Sequence, residues 1–315
     1  MCSILFPNFY LFVSIISLSI IWKTFPTIFD LHHLFFSDPD CIEFLFNQEI
    51  LYRRPTCANC RRLMVRRNTL WRCEKRSCRK SVSIFQDTII SASHLPCNKI
   101  LFVGYLWLCQ TQSTTIQIMT GHSSSTIASL LRQFRLLVAS DLEDPASDSD
   151  SMIGGEEIVV EIDESKFYNP RTNDPRTNAK VGWVFGGVER TAERRIFIER
   201  VEDRSADTLL EIIRRRVRPG SIILTDCWRA YNNIQTQLGL QHFRVNHSRT
   251  FVDPRTGAHT NTIEGTWRGL KLAIPQIQRA EDKIDSYLLE FVWRRKNEGC
   301  KWEEFLRCLK NIAIF

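Results

Sequence analysis

Apolar residues recur with two different periods along this chain, and the change of period divides it. Within 123–138, Ile127, Leu130, Leu131, Phe134, Leu137 and Val138 fall at helical spacing, so one face of a helix is buried. Three serines, Ser123 to Ser125, open that helix with good N-cap chemistry. Segment 113–120 and the pair Gly121-His122 precede it, which outlines a short helix, a turn and a longer helix. That outline fits a helix-turn-helix and equally a plain helical hairpin. Farther upstream, 41–51 reads as a short helix and 99–109 as a helix apolar enough to be buried.

Beyond a polar stretch at 139–157 the helical period gives way to short apolar runs. Segments 158–162, 181–188, 195–201 and 221–225 read as strands, with a fifth at 243–246. Helices are expected at 206–217, 227–238, 261–274 and 283–293, before an aromatic-rich tail at 302–315. Three strands, a helix, a strand, a helix, a strand and then helices make an α/β pattern with a mixed sheet. Between the first two strands Pro-Arg-Thr-Asn occurs twice, which reads as a polar hairpin loop. The expected organisation is an apolar leader at 1–27, short helices and a cysteine-rich segment at 28–92, a helical region at 93–140, an acidic linker at 141–156, and the α/β domain at 157–315.

From Met1 to Trp22 the leader carries no charge. Its length suffices to span a bilayer, yet it lacks the basic start of a signal peptide. A membrane segment and a mis-extended reading frame are the two readings. The remainder of the chain has no use for an anchor, so a membrane partner is not expected.

Charge adds a partner to this picture. The net charge is +7, but its distribution says more. Arg53 to Lys80 holds eleven Lys or Arg and a single acid, Glu74, whereas Asp141 to Glu164 holds ten acids and no base. The basic stretch is the electrostatic footprint of a polyanion-binding surface. It coincides with the only close spacing among eleven cysteines: Cys57, Cys60, Cys73 and Cys78 form C-x2-C, twelve residues, then C-x4-C. Two close pairs of thiolates close a tetrahedral Zn²⁺ site and staple two hairpins too small to bury a core. Arg61, Arg62, Arg66 and Arg67 coat that ribbon and suit phosphate contacts. The other cysteines are scattered in apolar segments, as in a reducing compartment.

Two aspartates end predicted strands: Asp163 after 158–162 and Asp226 after 221–225. If the strands are neighbours, these carboxylates converge, and Glu264 on the helix from Asn261 can cross the same sheet edge. Acids so gathered need cations to remain ionised together. Two Mg²⁺ or Mn²⁺ ions about 3.5–4 Å apart would serve, acting on both oxygens of an in-line phosphoryl displacement.

These residues carry a resemblance. The segments Glu161-Ile-Asp-Glu-Ser-Lys-Phe, Val184 to Arg190, Ile223 to Tyr231, Val245-Asn-His and His259 to Lys271 resemble the DDE transposases of the Merlin type, which share a catalytic domain with bacterial insertion-sequence transposases. The resemblance implies an RNase H-like fold behind a zinc ribbon and a helical region. It implies Asp163, Asp226 and Glu264 as the catalytic acids, and a two-step reaction: water cuts the transposon end, and the freed 3′ hydroxyl attacks target DNA. Terminal inverted repeats and target DNA are then the partners, in a homo-oligomer, and the nucleus the location in a eukaryotic cell. Lys166, Arg171 and Arg176 around the hairpin loop, with Arg268 and Lys271 one and two turns beyond Glu264, are candidate DNA contacts. His247 and His259 read either as supports for phosphate or acids, or as loop residues. Asn261 is expected to cap the Glu264 helix, and Trp183, Trp228 and Trp267 are expected in packing. Two other readings stand beside this one: a transposase-derived DNA-binding protein without catalytic activity, and a nuclease for RNA–DNA hybrids.

Overall fold

A computed structural model describes residues 25–53, 55–143, 152–168, 182–245, 259–274 and 283–311. Two short helices come first, α1 (Ile28–Phe36) and α2 (Asp38–Asn47). Thr27 and Asp30 form a reciprocal capping box on α1, and Ser37 caps α2 ahead of Pro39. A three-stranded antiparallel meander follows, β1 (Val65–Arg67), β2 (Leu70–Arg72) and β3 (Ser81–Ser83). Helices α3 (Cys97–Leu108), α4 (Ser113–Thr120) and α5 (Ser124–Glu143) complete this half. Gly121, at φ 69°, ends α4 in the left-handed conformation that its lack of a Cβ allows.

The second half holds a five-stranded sheet in the order β6-β5-β4-β7-β8. Its strands are β4 (Val159–Tyr168), β5 (Gly182–Glu189), β6 (Ile196–Val201), β7 (Ile222–Thr225) and β8 (Gln241–Arg244). The first three pair antiparallel, whereas β7 and β8 run parallel to β4. This is the RNase H-like mixed sheet that the resemblance implies. On one face α6 (Ala206–Arg216) and α7 (Ile234–Leu238) bury Leu209, Leu210, Ile213 and Ile234 against Val160, Ile162 and Phe185. On the other, α8 (Asn261–Ala273) packs Ile263, Trp267 and Leu270 against Val184, Val188 and Ile198. Those three recur at i, i+4 and i+7, and burying each contributes about 1.5–3 kcal/mol.

Three expectations change. The α/β domain does not run to the end of the chain as a unit: α10 (Lys301–Lys310) and Trp293 of α9 (Ile284–Lys296) belong to the core of α1, α2, α3 and α5. Gly104 makes this fit, since a Cβ there would lie 2.9 Å from the Phe305 ring. Arg294 seals the junction by donating to the carbonyls of Trp107 (2.8 Å) and Leu108 (3.1 Å) at the end of α3. The single helix expected at 227–238 is instead a 3-10 turn (Arg229–Tyr231) followed by α7. Asp226 accepts the Trp228 N–H at 2.8 Å, a local turn that competes with helix. The fifth strand lies two residues earlier than expected, at β8. Among the described residues no helix is long and apolar enough to cross a membrane. The leader to residue 24 and the repeated Pro-Arg-Thr-Asn loop lie outside the described residues.

Candidate active site and zinc ribbon

Strand pairing brings the two aspartates together. On the parallel strands β4 and β7, Glu161 stands opposite Leu224; Asp226 follows the end of β7, and Asp163 lies two residues beyond Glu161 on the same face of β4. That face is covered by α8. The indole of Trp267 donates from Nε1 to Asp163 Oδ2 at 2.9 Å. It lies over Gly186, the cross-strand partner of Asp163, where a Cβ would come within 2.8 Å of the ring. Glu264 is exposed on the first turn of α8, three residues before Trp267, and therefore neighbours it on the helix surface. Thr260 Oγ1 donates to Glu264 Oε1 at 3.4 Å.

Burial pushes the Asp163 carboxyl up to about 7; the Trp267 hydrogen bond opposes the shift, and the negative charges of Glu164 and Asp226 add to it. A half-buried carboxylate facing others is relieved by a cation, so this donor set suits a divalent metal. Among the described residues, however, the four cysteines are the one group of three or more ligand atoms all within 4.8 Å. Asp163, Asp226 and Glu264 do not form such a group.

Two neighbouring acids were not singled out by their positions in the sequence. Glu164 points to the opposite face, where it accepts from the Tyr231 hydroxyl and lies 3.7 Å from Arg204. Arg204 is in turn held over the rings of Trp183 and Trp228, at 3.8 and 4.8 Å from their centroids. Burial raises the Glu164 carboxyl. Glu161 is fully buried on the α8 face, and its Oε2 accepts the backbone N–H groups of Thr262 (2.8 Å) and Ile263 (2.9 Å). The expected cap is thereby corrected: Asn261 is the exposed first residue of α8, Thr260 makes no side-chain cap, and the carboxylate comes from β4. The signal available was the strand period, which puts Glu161 on the same face as Asp163.

The other candidates separate by place. His259 Nδ1 lies 2.9 Å from Arg190 Nη2 and 3.7 Å from Glu161, beside the helix start. Arg268 and Lys271 are exposed on the face of α8 that carries Glu264, and Lys166 is exposed on β4. Arg171, Arg176 and His247 lie outside the described residues. Trp183, Trp228 and Trp267 all pack, and Trp267 also donates to the site.

In the ribbon, Cys57 and Cys78 Sγ are 3.6 Å apart and Cys60 and Cys73 3.3 Å. Tetrahedral Zn–S bonds of about 2.3 Å set sulfur separations near this range, so the four thiols fit zinc. Arg61 and Arg79 follow Cys60 and Cys78 at φ 55° and 47°, turning the backbone around the sulfurs. Arg61 and Arg62 are exposed. Arg66 lies over the Phe46 ring (4.7 Å), and Arg67 lies 3.4 Å from Glu74. In the helical region α5 is a core helix: Arg135 sits 4.2 Å over the Tyr287 ring, whereas Arg132 is exposed.

Comparison of sequences places the α/β half among the transposases. Residues 150–296 match the model of the ISXO2-like transposase domain. An uncharacterized transposase-like protein of Haemophilus influenzae is 34% identical over 95 residues, covering 30% of this chain and 75% of that protein. Among solved structures, the Mos1 transposase paired-end complex with left transposon end aligns at TM-score 0.29 and 13% identity, over 67% of this chain and 79% of that one. The mariner Mos1 paired-end complex with Mg aligns at TM-score 0.27 and 12% identity, over 68% and 76%.

Proposed function

Because the chain belongs to the DDE-type transposases with an ISXO2-like domain, we propose that it cleaves and transfers DNA strands at the ends of a mobile element, with Asp163, Asp226 and Glu264 as its metal-binding acids. The observation that carries this reading is the parallel pairing of β4 with β7, which sets the end of β7, followed by Asp226, beside the strand that carries Asp163, while the Glu264 helix reaches Asp163 through Trp267. Mg²⁺ or Mn²⁺ held there would activate the attacking oxygen and neutralise charge on the phosphate. The chain's own residues prepare the site. Trp267 holds Asp163 Oδ2 on β4, and the Trp228 N–H holds Asp226 Oδ1 in the turn after β7. Arg268 and Lys271 stand on the Glu264 face, where a DNA backbone would pass. The zinc ribbon supplies Arg61 and Arg62 as sequence-independent phosphate contacts, with Zn²⁺ as a structural ion. Arg66 and Arg67, partly engaged at Phe46 and Glu74, border that surface. Synapsis of two ends calls for a homo-oligomer, and a eukaryotic host would place the activity in the nucleus.

The test is incubation of the purified chain with DNA bearing its element's inverted repeats, with and without Mg²⁺ or Mn²⁺. Metal-dependent strand cleavage is expected, abolished in Asp226→Ala. Specific binding with no cleavage under any divalent metal would instead identify a DNA-binding protein derived from a transposase.

A further inference from the structure

Glu161 occupies a place that neither strand nor helix requires of an acid. It is fully buried, two residues before Asp163 on the same face of β4. One oxygen, Oε2, accepts two backbone N–H groups from the first turn of α8, those of Thr262 and Ile263. The other, Oε1, accepts from Arg190 Nε at 2.6 Å. Arg190 follows β5 and also donates from Nη2 to the His259 carbonyl, one residue before Thr260. A buried carboxylate is stable only with such partners, and here every partner belongs to β5's end or α8's start.

We infer that Glu161 is the positioning residue of the active site: its carboxylate, held by Arg190, fixes the first turn of α8 and so sets Glu264 against Asp163 and Asp226. This rests on the function proposed above for the three acids. Ile263, whose N–H it binds, immediately precedes Glu264, and its own strand carries Asp163. One side chain therefore sets the spacing between the first and third acids. A helix's negative cap also gains from the positive end of the helix dipole, which makes a carboxylate the fitting choice here. Ordinarily the first N–H groups of a helix have no acceptor within it. In this chain two of them are occupied by a group from another element.

The experiment compares the full chain with Glu161→Gln and Thr262→Pro. Proline is tolerated in the first helical turn and removes one donor while the carboxylate itself and its other partners remain. Amide hydrogen exchange, Mn²⁺ binding by calorimetry and DNA binding in Ca²⁺ are measured beside cleavage. In Glu161→Gln the amides of 262–264 are expected to exchange at least tenfold faster while those near Leu270 stay protected. Mn²⁺ is expected to bind about tenfold more weakly, with DNA affinity within about twofold of wild type. Thr262→Pro is expected to change Mn²⁺ affinity in the same direction by a smaller factor. If Glu161→Gln does not fold, the Mn²⁺ affinity of Thr262→Pro decides, and an unchanged value overturns the inference. Unchanged exchange and Mn²⁺ affinity in a folded Glu161→Gln overturn it as well. Absence of cleavage by the wild-type chain would bear on the proposed reaction, whereas the exchange and Mn²⁺ measurements stand independently of it.

Discussion

Trp267 reaches from α8 to Asp163 on β4, its indole N–H donating to the carboxylate across 2.9 Å. The contact joins the helix that carries Glu264 to the strand that carries the first aspartate. Trp267→Phe keeps an aromatic ring over Gly186 but removes the donor. Hydrogen bonds to charged groups contribute about 1.5–3 kcal/mol, so cleavage is expected to fall roughly tenfold to a hundredfold. Single-turnover kinetics on end-containing DNA check this, with urea unfolding to measure the accompanying stability change.

Gly186 is the complementary position. A methyl group there would lie 2.8 Å from the Trp267 ring and 2.9 Å from the Phe197 carbonyl. The carbonyl belongs to the sheet and cannot yield as a flexible side chain would. Gly186→Ala is therefore expected to destabilise the chain by about 1–3 kcal/mol, read as a lower urea midpoint.

Zinc removal is expected to act on the amino-terminal half. Cys57 and Cys73 are buried in the same core as α2 and Trp71. Chelation or Cys60→Ser should lower the thermal midpoint and weaken DNA binding at Arg61 and Arg62, with bound zinc followed by mass spectrometry under native conditions.

His242, on β8, gives a pH signature of stability. Burial and the nearby Arg244 hold its imidazole down to about 4, against about 6.5 when unfolded. The unfolded chain thus takes up a proton first as pH falls. Stability from this group is intact above about 6.5 and is lost progressively as pH falls toward 4. His242→Gln is expected to flatten that part of the profile in denaturant titrations at several pH values.

The sheet was legible because its strands are short apolar runs with turn residues between them, and Asp226 was legible as a strand end; Asp163, expected at one, lies inside β4, which runs past its apolar stretch to Tyr168 because those residues still pair with β5. What joins them was not. Parallel pairing of β4 with β7 is a long-range contact that no local period encodes. The Glu161 cap was hidden for the same reason, since a helix cap is sought just before the helix and this one comes from a strand about a hundred residues earlier. Residues 157–315 read as one domain because composition shifts at the linker, yet α10 packs with α3 and α5. An amphipathic helix shows that it has an apolar face, but not which core receives it.

The central claim, that Asp163, Asp226 and Glu264 bind metal at the reacting phosphate, is tested most directly by Asp226→Cys. A thiolate is a softer ligand than a carboxylate and is a poor partner for Mg²⁺. Cleavage of end-containing DNA by Asp226→Cys is expected to vanish in Mg²⁺ and to recover at least tenfold in Mn²⁺, while Asp226→Ala stays inactive in both. Cleavage at the wild-type rate by Asp226→Ala would contradict the account.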